Sequence, residues 1–287
     1  MSAVAAMLAD GRLHLQHGPI DCLCRAWGEP AAVRLAYDRA IELFGPLLGT
    51  LCAELPALRT PLPSPRPSGH VAGAMHDACA PFADRFITPM AAVAGAVADH
   101  ILAAITSVAD VPRATVNNGG DIAFHLAHGH TLRCGLVTDL AAPAIDGVFE
   151  LRSDLRSRGL ATSGRACKQR GGRSFSFGIA DAVSVLARTA AQADAAATMI
   201  ANAVDLPLHP KIVRCPAADI DPDSDLGTRL ITLDVGALST SEIHRALDAG
   251  RGRADALRAA GLIECAVLAL RGATVTSGLS TRALETA

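Results

Sequence analysis

Aromatic residues are scarce in this chain: Phe, Tyr and Trp together make up 3% of it, although half of its 287 residues are apolar. A core with few rings has to be built from Ala, Leu, Val and Ile, which favours close packing of helices on a sheet. Net charge is also small, −2 at neutral pH, so nothing draws the chain generally to nucleic acid or to anionic lipid. Long uncharged runs are missing as well. Met90–Ala98 is about half of what a bilayer-spanning helix requires, and the start MSAVAAMLADG has neither a basic flank nor a cleavage site. The expectation is a cytoplasmic protein with no nucleic-acid or membrane partner. Eight cysteines (22, 24, 52, 79, 134, 167, 215 and 265) lie in apolar settings. A chain this long needs no covalent staples, so free thiols are expected.

What is present reads as an α+β chain in one domain over residues 1–287. Residues 11–26 alternate as a hairpin around Gly18-Pro19, and from Pro30 to Leu51 the period becomes helical, with Gly45-Pro46 as an expected break or kink. Prolines 56, 61, 63, 65 and 67 mark a surface connector over about 56–70. A helix should run from near Val71 to before Thr88-Pro89. Strands are expected at 114–118, 121–126, 131–138, 145–151, 159–163, 174–178 and 229–235. Ser239-x-x-Glu242 opens a capping-box helix; a short helix ended by Gly261 and a strand over Ile263–Leu270 follow. Residues 89–106 and 192–206 look like two copies of one Ala-rich helix, each with an Ala-x-Ala-Asp or Ala-Asp-Ala cluster.

Chemistry concentrates between Gly159 and Asp205. Thr162-Ser163-Gly164 offers hydroxyls and a bare backbone that can lie against phosphate or ribose, and Arg165, Lys168, Arg170 and Arg173 surround Gly171-Gly172. Asp194 and Thr198 stand four residues apart, which on a helix puts both oxygens on one face. With a backbone carbonyl near Ala94 or Gly95 they would suit Mg²⁺, which prefers hard oxygens and few carboxylates; the bland alternative is a solvated Asp and a packing Thr. Asn117-Asn118-Gly119-Gly120-Asp121 is either a tight turn or a turn that also reads a heterocycle edge and, through Asp121, a ribose hydroxyl. Three patterns carry less. The run Asp219, Asp221, Asp223, Asp225 lacks the Gly and Glu of a calcium loop. His125, His128 and His130 have no acid or thiol cluster beside them, and Cys22-x-Cys24 reads as one core-facing side of a strand.

The word Ala-Asp-Ala-Ala-Ala-Thr over 193–198 resembles the metal-binding helix of the ApbE-type flavin transferases. Thr162-Ser163-Gly164 resembles that family's Ser-Thr-Ser-Gly, Asn117 to Ile122 its Asn-Ala-Gly-Gly-Glu-Ile turn, and Ala94 to Asp99 its Lys-Gly-Tyr-Ala-x-Asp helix start. The likeness covers roughly residues 85–205 and is nearest to an uncharacterised soluble branch, which shares the DPDSDLG word at 221–227. It implies a T-fold-like antiparallel sheet covered by helices, with an internal two-fold repeat. It also implies a flavin dinucleotide such as FAD bound with Mg²⁺, and cleavage or transfer at the pyrophosphate. The implied site takes Asp194, Thr198 and Ala94 for the metal, and Asn117, Asn118, Gly119, Gly120, Asp121, Thr162, Ser163, Gly164, Ser174 and Ser176 for the nucleotide. Asp181 is the catalytic candidate. Gly178 falls where the family has a His that can help the acceptor hydroxyl attack, and Ala94 where it has a Lys, so transfer is the step in doubt. An enzyme of a pterin-type pathway and a flavin carrier without chemistry stay open as alternatives, as does homodimerisation.

Overall fold

The computed structural model describes residues 2–108, 110–137, 147–164, 175–278 and 284–285. In chain order the strands are β1 (Val4–Met7), β2 (Leu13–His17), β3 (Ile20–Trp27), β4 (Arg113–Asn118), β5 (Asp121–Leu126), β6 (Thr131–Leu136), β7 (Gly147–Arg152), β8 (Gly159–Ser163), β9 (Ala182–Ala187), β10 (Ile212–Pro216), β11 (Leu230–Val235), β12 (Cys265–Leu270), β13 (Ala273–Ser277) and β14 (Leu284–Glu285). The helices are α1 (Pro30–Ala53), α2 (Leu55–Leu58), α3 (His70–Cys79), α4 (Val93–Val108), α5 (Ala190–Ala203) and α6 (Thr240–Ala259). The chain forms two compact units. Met1–Leu132, Leu151–Ala161 and Ala187–Ala195 make the first; Arg133–Glu150, Thr162–Leu186 and Ala196–Ala287 make the second.

The first unit is an antiparallel sheet covered by helices. β1 to β5 pair in chain order, and the start of β8 joins β5 through Ile122 opposite Leu160 and Ala123 opposite Gly159. Alternation sets its faces: Leu13, Leu15, Cys22, Cys24, Ala114 and Val116 are all buried, with exposed or half-buried residues between them. α4 packs on β4 and β5, and α1 packs on α4. The lone tyrosine joins α1 to the hairpin, since Tyr37 Oη accepts from Ala26 N (3.0 Å) and donates to Gly11 O (3.2 Å).

Two sequence expectations change here. α1 runs unbroken through Pro46; Glu42, Gly45 and Pro46 are all exposed, so the carbonyl that Pro46 leaves without a donor can be met by water. The apolar run is also longer than Met90–Ala98. Pro89–Val108 is a 20-residue helical stretch that could span a membrane by length and composition. Asp99 and His100 interrupt the run in the sequence, whereas in the structure Gly95, Ala96, Val97, Ala98, Ile101, Ala104 and Ile105 are buried. The proline-rich connector begins with a short helix, α2, before it extends.

In the second unit β9, β12 and β13 pair antiparallel, and α6 packs on β12 and β13. Every residue of β9 and β12 is buried, so neither strand shows alternation. β12 lies within the strand expected over 263–270, whereas β9 has no counterpart among the expected strands; among residues 175–178, where a strand was expected, none forms, and Ser174 lies outside the described residues. β10 and β11 make a separate ribbon with a bulge at Val213/Arg214, and β14, β7 and β6 make a third sheet. α6 is one helix where two were expected. It opens on the anticipated box: Ser239 N donates to Glu242 Oε2 (2.7 Å) and Ser239 Oγ accepts from Glu242 N (3.4 Å), and Gly261 follows its end with φ +71.

Candidate functional site

The first unit brings the starts of α4 and α5 against each other. Asp194, on α5, accepts from Gly95 N of α4 (Oδ2, 3.1 Å). Asp99, on α4, accepts from Ala190 N (3.0 Å) and Ala191 N (2.9 Å) of α5. Each helix therefore carries, within its first two turns, a carboxylate that accepts from the other's first-turn N–H groups. The exchange requires near contact of backbones. A Cβ on Gly95 would stand 2.2 Å from Ala190 O and 2.6 Å from Ala191 N, and one on Gly159 of β8 would stand 2.1 Å from Ala190 N.

Both acids are half-buried. Burial is the main reason that each pKa is raised; the charge of Asp99 adds to the effect on Asp194, while the backbone donors oppose it. Cys79 belongs to the same neighbourhood. Its thiol donates to Pro89 O (3.9 Å), and burial, with a smaller effect from the Asp194 charge, pushes its pKa up.

The Asn117–Asp121 segment is the β4–β5 turn. Gly119 and Gly120 have φ +65 and +111, and no atom would lie within 4 Å of a Cβ on either, so backbone conformation alone selects glycine there. Asn117 closes the turn by accepting from Gly120 N (2.9 Å). Asn118, nearly buried, accepts from Asp21 N (3.4 Å) and donates to Ala94 O (3.1 Å). The Ala94 carbonyl and the Gly95 N–H are opposite ends of one trans peptide; Asn118 holds one end and Asp194 the other.

In the second unit Thr162 and Ser184 share a hydroxyl hydrogen bond (2.8 Å). Gly164, at φ +141, brings the chain so close to Asp181 that a Cβ would lie 2.5 Å from its carbonyl oxygen. Asp181 N donates to Ala269 O (2.9 Å), and its carboxylate accepts from the backbone of Arg271 in the β12–β13 turn. Ser176 is buried; its Oγ accepts from Gly178 N (3.3 Å) and donates to Asn202 Oδ1 (3.4 Å), which also accepts from Phe177 N (3.0 Å). Gly178 lies flat on the end of α5, where a Cβ would be 2.0 Å from Ala201 O. No side chain, histidine included, fits there without moving backbone.

Of the residues singled out in the sequence, Ala94, Asn117, Asn118, Gly119, Gly120, Asp121 and Asp194 lie in the first unit. Thr162, Ser163, Gly164, Ser176, Asp181 and Thr198 lie in the second. Ser174 and the basic turn over 165–173 lie outside the described residues. Asp194 and Thr198 do stand one turn apart on a continuous α5. The Asp99 cluster is visible in the sequence without its role, and Asn202, Arg214 and Arg271 carry no local signal there. Arg214 pairs with Asp205 and holds Phe177 O; no spacing rule links such distant positions. Among the described residues no group of three or more His, Cys, Asp or Glu is placed to hold a metal. In the acidic run Asp221 accepts from Asp223 N (3.0 Å), as in an ordinary turn. The seven described cysteines are free.

A cation at Asp194 fits these residues in one respect. The carboxylate has acceptor capacity beyond its bond to Gly95 N, and among the described residues no Lys or Arg pairs with it. Mg²⁺ takes one or two carboxylates and completes its shell with water or phosphate.

Comparison with known proteins places this geometry in context. A UPF0280 protein of Methanopyrus kandleri is 34% identical over 167 residues, covering 57% of this chain and 63% of that protein. A UPF0280 protein of Methanothrix thermoacetophila is 37% identical over 125 residues, covering 41% and 46%. The chain thus spans about half to two thirds of the length of these curated relatives. Two solved structures are distantly similar: Pseudomonas stutzeri flavinyl transferase ApbE in its apo form (TM-score 0.43, 12% identity, 96% of this chain and 95% of that one) and flavin transferase ApbE from Vibrio cholerae (TM-score 0.40, 12% identity, 96% of each). The family model described as AbpE bacteria matches residues 5–276, and the chain accordingly belongs to that family.

Proposed function

We propose that this protein is an ApbE-like enzyme that binds a flavin dinucleotide of the FAD type with Mg²⁺ and cleaves or transfers at its pyrophosphate. The reading includes a cytoplasmic location and one T-fold-like domain over residues 1–287 with an internal two-fold repeat. The reciprocal caps support the repeat, because Asp99 and Asp194 each lie four residues after the amide that the other caps (Gly95 and Ala190).

The observation that carries the function is the Asp194 carboxylate, half-buried and bonded to the Gly95 N–H of α4 (3.1 Å). Its pKa is raised by burial, its charged neighbour is another acid, Asp99, and among the described residues no Lys or Arg offsets it. Asp194 and the Thr198 hydroxyl would hold the cation with a backbone carbonyl near Ala94 or Gly95; the Ala94 carbonyl itself already accepts from Asn118 (3.1 Å) and faces away from the Gly95 N–H that Asp194 caps. Bound there, Mg²⁺ would offset charge on phosphate oxygens, as phosphoryl-transfer sites require. Asn117, Asn118, Gly119, Gly120 and Asp121 are assigned to the heterocycle and ribose, and Thr162, Ser163, Gly164, Ser174 and Ser176 to the phosphates and ribose. Asp181 is assigned the proton of an acceptor hydroxyl.

A second reading, a flavin-binding protein without transfer chemistry, is favoured by one observation: the position read as the family His is Gly178, which has no room for a base. Mass spectrometry of the natively purified protein, with thermal scans in FAD with and without Mg²⁺, tests binding. A Mg²⁺-dependent shift is expected, and its absence with every dinucleotide tried overturns both readings. Incubation with FAD, Mg²⁺ and an acceptor domain then separates them: covalent flavin fluorescence on a denaturing gel supports the enzyme, and binding without it supports the carrier.

A further inference from the structure

We propose that Asp99 is a positioning residue for the cation site: by anchoring the first turn of α5 on α4, it fixes where the Asp194 carboxylate stands. The inference rests on the Mg²⁺ reading of Asp194 given above. Asp99 itself is not assigned as a ligand. Its two oxygens accept from successive amides, Ala190 N at 3.0 Å and Ala191 N at 2.9 Å, which pins both the position and the rotation of the α5 start. Asp194 projects from that same turn, four residues on, and meets Gly95 N at 3.1 Å. Glycine at 95 and 159 lets the backbones approach without spacers, so the separation of the helices is set by these bonds and not by compressible side chains.

Without Asp99 the α5 start keeps the Gln192 N bond to Thr189 Oγ1 (3.2 Å) and the Asp194 bond to Gly95 N (3.1 Å), but loses the two bonds from its own amides to α4. The helix can still form, because a single lost cap costs a helix only about 0.5–2 kcal/mol. Its register against α4 is then held by one bond, Asp194 to Gly95 N, where three held it before, and the Asp194 carboxylate is less firmly placed. Residues that orient a metal ligand typically matter by about 10–100-fold in affinity.

The test is Mn²⁺ binding, by electron paramagnetic resonance of the free ion, to the full chain without nucleotide. Wild type, Asp99→Ala, Asp99→Asn and Asp99→Ser are compared, with the melting temperature of each recorded. Asp99→Ala is expected to weaken Mn²⁺ binding by about tenfold or more. Asn and Ser, which keep an oxygen acceptor for the α5 amides but lack the charge, should restore part of it. If Asp99→Ala melts lower but binds Mn²⁺ as wild type does, Asp99 is a structural cap only and the inference is overturned. If Asn and Ser bind no better than Ala, the charge of Asp99 and not its caps is at work, which also overturns it. If Asp99→Ala does not fold, the comparison of Asn and Ser with wild type decides by the same criteria. Wild type that binds no Mn²⁺ refutes the Mg²⁺ reading, a result distinct from an Asp99 variant that binds normally.

Discussion

Gly95→Ala adds one methyl group where α4 meets α5, and the structure decides the sign of its effect. On helix propensity alone the change should help by about 1 kcal/mol, since glycine is the poorer helix former. The added Cβ, however, would lie 2.2 Å from Ala190 O, 2.4 Å from Ala190 C and 2.6 Å from Ala191 N. These are backbone atoms with no rotamer to yield, so the helix starts must separate by roughly 1.2–1.8 Å to reach ordinary contact. Separation of that size stretches all three caps, Asp194 to Gly95 N (3.1 Å) and Asp99 to Ala190 N (3.0 Å) and Ala191 N (2.9 Å), out of hydrogen-bond range. Each such bond contributes about 1 kcal/mol net, and more where a buried donor is left unmet; overpacking adds about 1–3 kcal/mol. Against a gain of about 1 kcal/mol the net loss is about 3–5 kcal/mol, a fall in melting temperature on the order of 10 °C for a chain of this size. Thermal unfolding followed by circular dichroism measures it. A Gly95→Ala protein that melts at or above wild type would refute the reciprocal-cap packing.

Asp194→Asn keeps an acceptor for Gly95 N and removes a charge that burial disfavours. Its melting point without ligand should therefore stay near wild type, while the Mg²⁺-dependent shift with FAD, about 5 °C at one hundred times the dissociation constant, should vanish; a full shift in the variant removes Asp194 from the cation site. Glu242 is held down to about 2, first by Ser239 N and then by His209. Its contribution to stability is present above the ordinary carboxylate pKa of about 4.3 and is lost as pH falls toward 2. Glu242→Gln should flatten that acid limb of the stability profile, and an unchanged limb counts against the capping box. Burial pushes the Cys22, Cys24, Cys79 and Cys265 thiols up, whereas Cys52 is exposed. Peptide mapping after brief alkylation of the native protein should find Cys52 modified well before those four, and early modification of Cys22 or Cys24 would contradict their core placement.

Local chemistry made much of this protein legible from the residues in order. Asn118-Gly119-Gly120-Asp121 could only be a turn, because glycine is what positive φ selects, and β4 and β5 flank it as expected. Ser239-x-x-Glu242 announced the start of α6 because both halves of that box bond within four residues. The hairpin alternation at Leu13, Leu15, Cys22 and Cys24 revealed a sheet with one buried face. What the order could not reveal depends on atoms far apart in the chain. β9, buried on both faces, lacks the alternation that marks the hairpin, and of the break or kink expected at Gly45-Pro46 the break does not occur, because Pro46 sits at an exposed position of α1 that its sequence neighbours do not disclose. The Asp99 and Asp194 clusters were seen as similar, but their exchange of caps spans 91, 92 and 99 residues. Gly178 looked like a lost base until its place against Ala201 O showed that no side chain fits. Helix starts, turns and strand faces follow from neighbours within a few residues; which acid meets which amide is decided only when the helices have packed.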